Sequence, residues 1–430
     1  MSNSGTDASA VPAGPLSGLR VIDWTHVLAG PFAGYQLGLL GAEVIRIERA
    51  DGDDLVRTKA ADPALGALGL GEGFVTQGAG KRSLAVNARD PRARQALCTL
   101  IASADVLLEN FRPGKLAALG FDPQVLIERH PRLVVCSMTG FGPQSNLRAY
   151  DHVVQASSGF MAANADASGR PQRVGFPVID YAMGQQAVMA VLAALLRRDR
   201  RDPPPPPGSP PRRQRGEWLQ VSMAGAAISL LAPVYAPTLV SGITPPRSAS
   251  TAFSGSPLSG SFDAADGVLA VVCNAVDQAQ GLMRALREAG CGDGAMADLL
   301  QAAQQRDVTA AQALLAAAFR ARAVDDWVTR LAAQGVPAAP VMTAAAAAQS
   351  AAAHWPAVDL PSSDGTRRVS VPGIGFDSSE PLTVGLGAPP RRGAQTRVLL
   401  AEAGLDDATI NAMLADGAAW EPVDMPGSGP

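Results

Sequence analysis

Up to Gly140 the sequence alternates short apolar runs with helix-prone stretches, and this constrains the fold more than any other feature. Residues 19–24, 43–47, 83–86, 105–108 and 133–136 read as buried strands. Pro31 opens a helix through Leu40, and Asp90-Pro91 caps and starts another to about Ala104. Strands alternating with helices predict an α/β fold with a parallel, doubly wound sheet. Such sheets take ligands at the carboxyl ends of their strands. The loops expected there are 25–30, 48–49, 109–112 and 138–142.

Beyond the alternation, residues 181–198 read as a long apolar helix with arginines in its last turn. Composition then breaks at 196–216, RRDRRDPPPPPGSPPRRQRG, where the prolines forbid helix and suggest an extended, solvated excursion. A strand at 218–222, helices near 224–232, 278–289, 309–320 and 324–334, and an alanine-rich stretch follow. A strand at 369–371 and helices at 394–403 and 406–414 close the chain. These divisions predict a disordered tail (1–13), a large domain (14–200), a linker (201–217), a small domain (218–335), and a return to the large domain (336–430).

Composition excludes several classes. With 36 basic against 39 acidic residues there is no global basic field for nucleic acid. Cys98, Cys136, Cys273 and Cys291 lack CxxC spacing and read as unpaired thiols of a reducing compartment. The four histidines form no cluster with them, which argues against zinc. The first residues lack the basic and apolar regions of a signal peptide, and no window is expected to span a membrane. A cytoplasmic protein is expected.

The segment Arg173-Val174-Gly175-Phe176-Pro177-Val178-Ile179-Asp180 puts a carboxylate where the long helix should start. As an N-cap, Asp180 would be kept ionised by unpaired N–H groups and the positive helix end. Gly184, one turn on, leaves room for a close approach. By itself the segment allows a helix cap or a carboxylate nucleophile. Arg46, Arg49, Lys81, Arg82 and Arg112, at predicted strand ends, would together suit a polyanionic nucleotide.

Several runs, in order, carry a resemblance: GLRVIDWTHVLAGPFAGYQLGLLGAEVIRIER, GKRSLAVN, DVLLENFRPGKLAALGF, YDHVVQASSGF, the Asp180 segment and WVTRLAAQGVPAAPV. The chain resembles the class III CoA-transferases from about Pro15 to Trp420. That group includes formyl-CoA, carnitine and benzylsuccinate CoA-transferases and, more distantly, α-methylacyl-CoA racemase. The resemblance implies a Rossmann-like large domain built from both chain ends, a smaller α+β middle domain and an interlocked homodimer. It makes Asp180 the catalytic aspartate, passing through an aspartyl anhydride and an aspartyl-CoA thioester. It implies CoA contacts from Leu28, Ala29, Arg49, Gly80, Lys81, Asn110, Phe111, Arg112, Thr139, Gly140 and Phe141, with Arg49 meeting adenine or phosphate and Lys81 the phosphates. The CoA thioester is then a substrate, with no tightly bound cofactor, and the partners are an acyl-CoA, a carboxylic acid and a second copy of the chain.

The departures are specific. Leu28 stands where formyl-CoA transferase has glutamine, and residues 274–280 lack that enzyme's glycine-rich loop, so an acid as small as oxalate or formate is not expected. For racemisation, Tyr150 occupies the place of the racemase's histidine before Asp151, and Ala275 or a neighbour that of its later glutamate. His152 is expected on the inner face of a helix. The alternatives to transfer are a 2-methylacyl-CoA racemase and a non-catalytic CoA-binding dimer.

Overall fold

The computed structural model describes residues 14–166, 168–201, 216–244, 254–351, 357–362, 365–376 and 378–422. Contacts within the chain separate two compact units. One takes the chain up to Val154, Phe176–Leu230, and the C-terminal part from residue 357. The other takes Gln155–Gly175 and Leu231 through the helix Ala344–Ala351.

The first unit is built on a seven-stranded sheet. Its strands are β1 (Arg20–Trp24), β2 (Glu43–Glu48), β3 (Arg82–Val86), β4 (Val106–Glu109), β5 (Val134–Thr139), β6 (Glu217–Ser222) and β12 (Ala419–Trp420), in the order β12-β3-β2-β1-β4-β5-β6. All pair in parallel except β12, which runs antiparallel along β3. β1 to β5 are almost wholly buried, as expected where helices cover both faces and the strands read as continuous apolar runs. On one face Ile22, Ile45, Leu84, Leu107 and Val135 meet Leu97, Leu100 and Ile101 of the helix Pro91–Ala102, which Asp90 caps. The helices Ala29–Leu39 and Val178–Arg201 pack against each other and against the sheet, the first on β1 and β2, the second on β5 and β6. Strand order reverses direction at β1 and β4, which makes the mouth between them the expected ligand crevice. A two-stranded ribbon of β10 (Ala357–Ser362) and β11 (Gly365–Ser370) completes this unit.

The second unit holds a three-stranded antiparallel sheet, β7 (Gly260–Asp263), β8 (Val268–Val271) and β9 (Ala338–Pro340). The helices Val276–Glu288, Asp293–Gln305, Val308–Phe319 and Val324–Ala333 enclose a core centred on Phe319 and Trp327. Phe262 is buried there against Phe319. The tail 1–13 and the proline-rich 202–215 lie outside the described residues.

The expected domain limits need correction. Residues 217–222 form β6, which pairs along its length with β5, so this segment belongs to the large sheet and not to the small domain. Conversely, β9 pairs with β8 and belongs to the small unit. Only pairing decides this, because a short apolar run fits either sheet equally well. By length and composition alone, Val178–Arg200 is apolar enough to cross a membrane. Such a helix also fits the core of a globular unit, and this one packs on β5, β6 and the helix Ala29–Leu39.

Candidate active site

The loops at the carboxyl ends of the central strands are tied together by side chains. After β1, Asn110 at the end of β4 accepts from the His26 backbone N–H (2.9 Å) and donates to the His26 carbonyl (2.8 Å). This reciprocal pair spans the place where strand order reverses. Phe111 stacks edge-on against His26 and Trp24. Val27 has φ +66°, a conformation that β-branched residues avoid. Asp54 holds it there, accepting from the Val27 N–H at 2.9 Å while bonded to Arg46 at 2.7 Å. Leu28 then precedes the helix Ala29–Leu39, with Ala29 buried and Leu28 half-buried.

Beneath this loop lies a buried charge network. Lys81 donates to Asp23 and to the Pro31 carbonyl, each at 2.7 Å. Burial pulls its ammonium down to about 8, against the opposing pull of Asp23. Arg46 lies among Asp23, Glu48 and Asp54. Burial alone would raise Glu48, but Arg46 and Arg57 draw it down to about 2, with Ser83 donating to it. The cations expected on one rim therefore separate. Lys81 and Arg46 are interior struts, because each has carboxylates within the sheet layer to neutralise it. Arg82 points to the amino ends of the strands, where it pairs with Glu43 and Glu402. Arg49 and Arg112 remain exposed.

A crevice of about 420 Å³ opens at the ends of β1 to β4. Trp24, His26 and Phe111 give it an aromatic wall, and Arg49, Arg89 and Lys115 give it positive charge. Of the expected contacts, Arg49 and Phe111 line it. Gly80 lies at φ +73°, its N–H bonded to the Gly387 carbonyl, in a loop beside Leu386. Thr139 ends β5, and Gly140 and Phe141 follow it, with Gly140 accepting from the Ala224 N–H. His26 falls in the expected loop 25–30 without having been singled out, and Arg89 and Lys115 were not anticipated. Their signal lay only in position, each falling two to six residues beyond a strand end.

The long helix starts at Val178, not after Asp180, so Asp180 stands in its first turn and is not the cap. Asp151, from the helix Asp151–Ser157, does the capping, accepting from the N–H of Ile179 (2.7 Å) and of Asp180 (3.4 Å). Sequence reasoning missed it because the cap comes from 28 residues away. Asp180 is half-buried, and burial first, then the Asp151 carboxylate, push its pKa up to about 7. The expectation of a firmly ionised carboxylate is corrected: dehydration and a like charge outweigh the helix end. Gly184 admits the helix Ala29–Leu39, since a Cβ there would come within 2.7 Å of the Ala29 carbonyl oxygen. Asp180, four residues earlier, shares that face, turned toward the start of the helix after β1. Tyr181 packs edge-on against Phe32, and its hydroxyl accepts from Gln77. His152 is exposed, contrary to its expected inward placement, and Tyr150 is exposed as well.

The model of CoA-transferase family III matches residues 16–396. The chain belongs to this family. It is 30% identical to an acyl-CoA transferase of Fusarium pseudograminearum over 96% of this chain and 90% of that one. It is 38% identical to succinate–glutarate CoA-transferase of Agrobacterium fabrum over 42% of this chain and 47% of that protein. In such matches the chain spans about half the length of the curated relative. Among solved structures, Rv3272 from Mycobacterium tuberculosis superposes with a TM-score of 0.69 at 28% identity, over 90% of this chain and 99% of that one.

Proposed function

We propose that this family III chain transfers CoA from an acyl-CoA donor to a carboxylic acid through covalent intermediates on Asp180. The observation that carries the reading is the place of the Asp180 carboxyl, half-buried in the first turn of the long helix and one turn before Gly184, which meets Ala29. A carboxylate oxygen attacks the donor thioester carbonyl. The new C–O bond gives a mixed anhydride, the C–S bond breaks, and CoA leaves as thiolate. The thiolate then attacks the Asp180 carbonyl of that anhydride, releasing the donor acid and leaving an aspartyl-CoA thioester. The acceptor carboxylate reverses the sequence. Asp180 ends as it began, and no net proton is consumed.

A carboxyl with a raised pKa is a better nucleophile once ionised, and a partly dehydrated site protects the anhydride from water. The crevice at β1 to β4 has the chemistry of the nucleotide end of CoA, with aromatic faces for adenine and cations for phosphate. In this reading Arg49 and Phe111 contact the nucleotide. Leu28, Ala29, Gly80, Asn110, Arg112, Thr139, Gly140 and Phe141 frame the path from crevice to Asp180. Lys81 supports that frame from within. CoA enters as substrate, with no resident cofactor.

A homodimer belongs to the same reading, supported by exposed apolar side chains on the first unit, Met189, Leu196, Ile228 and Leu230. So does a cytoplasmic setting, supported by four unpaired cysteines.

Incubation with an acyl-CoA, followed by hydroxylamine or borohydride and peptide mass spectrometry, should mark Asp180. Turnover with an unmodified Asp180 peptide would overturn the mechanism. Deuterium wash-in at the α-carbon without any acceptor acid would point instead to racemisation.

A further inference from the structure

We propose that Asp151 is the positioning residue of this site, capping the turn that carries Asp180 and supplying the negative field in which the Asp180 carboxylate forms and is discharged. The proposal rests on the transferase reading for its purpose, but not for its geometry. Asp151 accepts from the backbone N–H of Ile179 and of Asp180 itself, so its charge is fixed beside the first turn. Most helices take their cap from the residue just before them, and a cap delivered from another helix adds a charge as well as an acceptor.

The charge matters because acylation moves it. When the Asp180 oxygen bonds to the donor carbonyl, the C–S bond breaks and the negative charge leaves with the CoA sulfur. Two neighbouring carboxylates become one carboxylate beside a neutral anhydride, and their repulsion is relieved. Asp151 therefore disfavours the free nucleophile and favours the covalent intermediate, without touching substrate. Burial raises the Asp180 pKa first, and the same repulsion adds to it.

Among the described residues, several titratable groups on the surrounding elements are engaged elsewhere. Tyr181 is held by Gln77, and Tyr35 donates to the Pro372 carbonyl. Glu72 accepts from the backbone of Ala61 and Asp62. Glu217 on β6 pairs with Arg197, near the far end of the long helix. Burial pushes the Cys136 thiol up to about 12, and His152 lies on the exposed side of the Asp151 helix.

The test is the full chain with Asp151→Asn, which keeps an oxygen to cap the helix and removes the charge. Asp151→Ser, a neutral capping residue, serves if the first variant fails to fold. The Asp180 carboxyl is followed by carbon-13 difference NMR against Asp180→Asn, and single-turnover acylation is measured across pH. The Asp180 titration midpoint is expected to fall by about one pH unit. The acylation limb should move by the same amount, with a plateau lower by about threefold as the carboxylate becomes less basic. An unchanged midpoint in both variants would overturn the proposal, because a purely structural cap has no reason to leave the fold intact and shift a titration. A shifted midpoint without any acyl transfer in the wild type would support this coupling and refute the transferase reading.

Discussion

Gly184 and Ala29 touch through backbone: a Cβ on Gly184 would lie 2.7 Å from the Ala29 carbonyl oxygen and 2.8 Å from the Phe32 ring. Neither neighbour is a flexible chain end, so Gly184→Ala must move one helix relative to the other. The expected cost is about 1–3 kcal/mol, read as a lower urea midpoint with unchanged slope, together with a larger loss of kcat/KM. Gly294→Ala, in the helix Asp293–Gln305 with no atom near its added Cβ, is the control. It should be neutral or stabilising by up to about 1 kcal/mol.

Asp180 gives a pH prediction of definite sign. Its folded pKa, about 7, lies above the ordinary 3.8, so the native state holds its proton more tightly than the unfolded chain. Stability from this group is therefore lost as pH rises from about 4 to 7, and the loss is complete above 7. Asp180→Asn should be inactive yet more stable than wild type at pH 8, with the difference vanishing near pH 3.5. A tenfold difference in proton affinity between the folded and unfolded chain corresponds to about 1.4 kcal/mol at full effect, and the partial exposure of Asp180 reduces it. Urea titrations at a series of pH values provide the comparison; a difference that grows toward acid pH would contradict the assignment.

Removing Asn110 should loosen the loop after β1 without dismantling the sheet. Asn110→Ala deletes both bonds to the His26 backbone, worth about 1–3 kcal/mol together when the freed groups are only partly solvated. Steady-state kinetics should show KM for acyl-CoA rising several-fold. Asn110→Asp, which keeps the acceptor and loses the donor, should fall between.

Among the described residues Arg49 is paired only with Asp51, and both are exposed. Arg49→Ala should leave Tm within about 1 °C, since exposed pairs contribute little. CoA affinity should fall about tenfold and depend less steeply on salt, as expected for loss of a phosphate contact. Isothermal titration at two ionic strengths would decide it, and unchanged affinity would remove Arg49 from the site.

Lys81 should behave oppositely. Lys81→Met strands the Asp23 carboxylate in the interior and should cost about 3–5 kcal/mol, whatever ligand is present. Combining it with Asp23→Asn should recover part of that loss, because no unpaired charge remains. A Lys81→Met protein of wild-type Tm with weakened CoA binding would return Lys81 to the role of phosphate contact.

How far the fold was legible can be seen in particular elements. Asp90-Pro91 marked its helix, and the apolar runs marked β1 to β5 to within about three residues, because strands buried on both faces must be continuously apolar. The residues around 217–222 were recognisable as a strand but not as part of the large sheet, since partner choice is absent from a short apolar run. The site divided in the same way. Asp180 and Gly184 stood out through their local setting, whereas Asp151 could not, since nothing near it in sequence marks it as the cap of a helix starting at Val178.

By itself, then, the sequence determined the α/β alternation, the long helix and the carboxylate at its start, because these follow from short-range periodicity and helix-end chemistry. Tertiary structure decided which charges face solvent and what protonation state Asp180 prefers. It buried Lys81 and Arg46 among carboxylates, left Arg49 at the crevice, and set Asp151 beside Asp180. Charge and desolvation act through space, so a residue's titration and reach depend on neighbours that only the folded chain brings near.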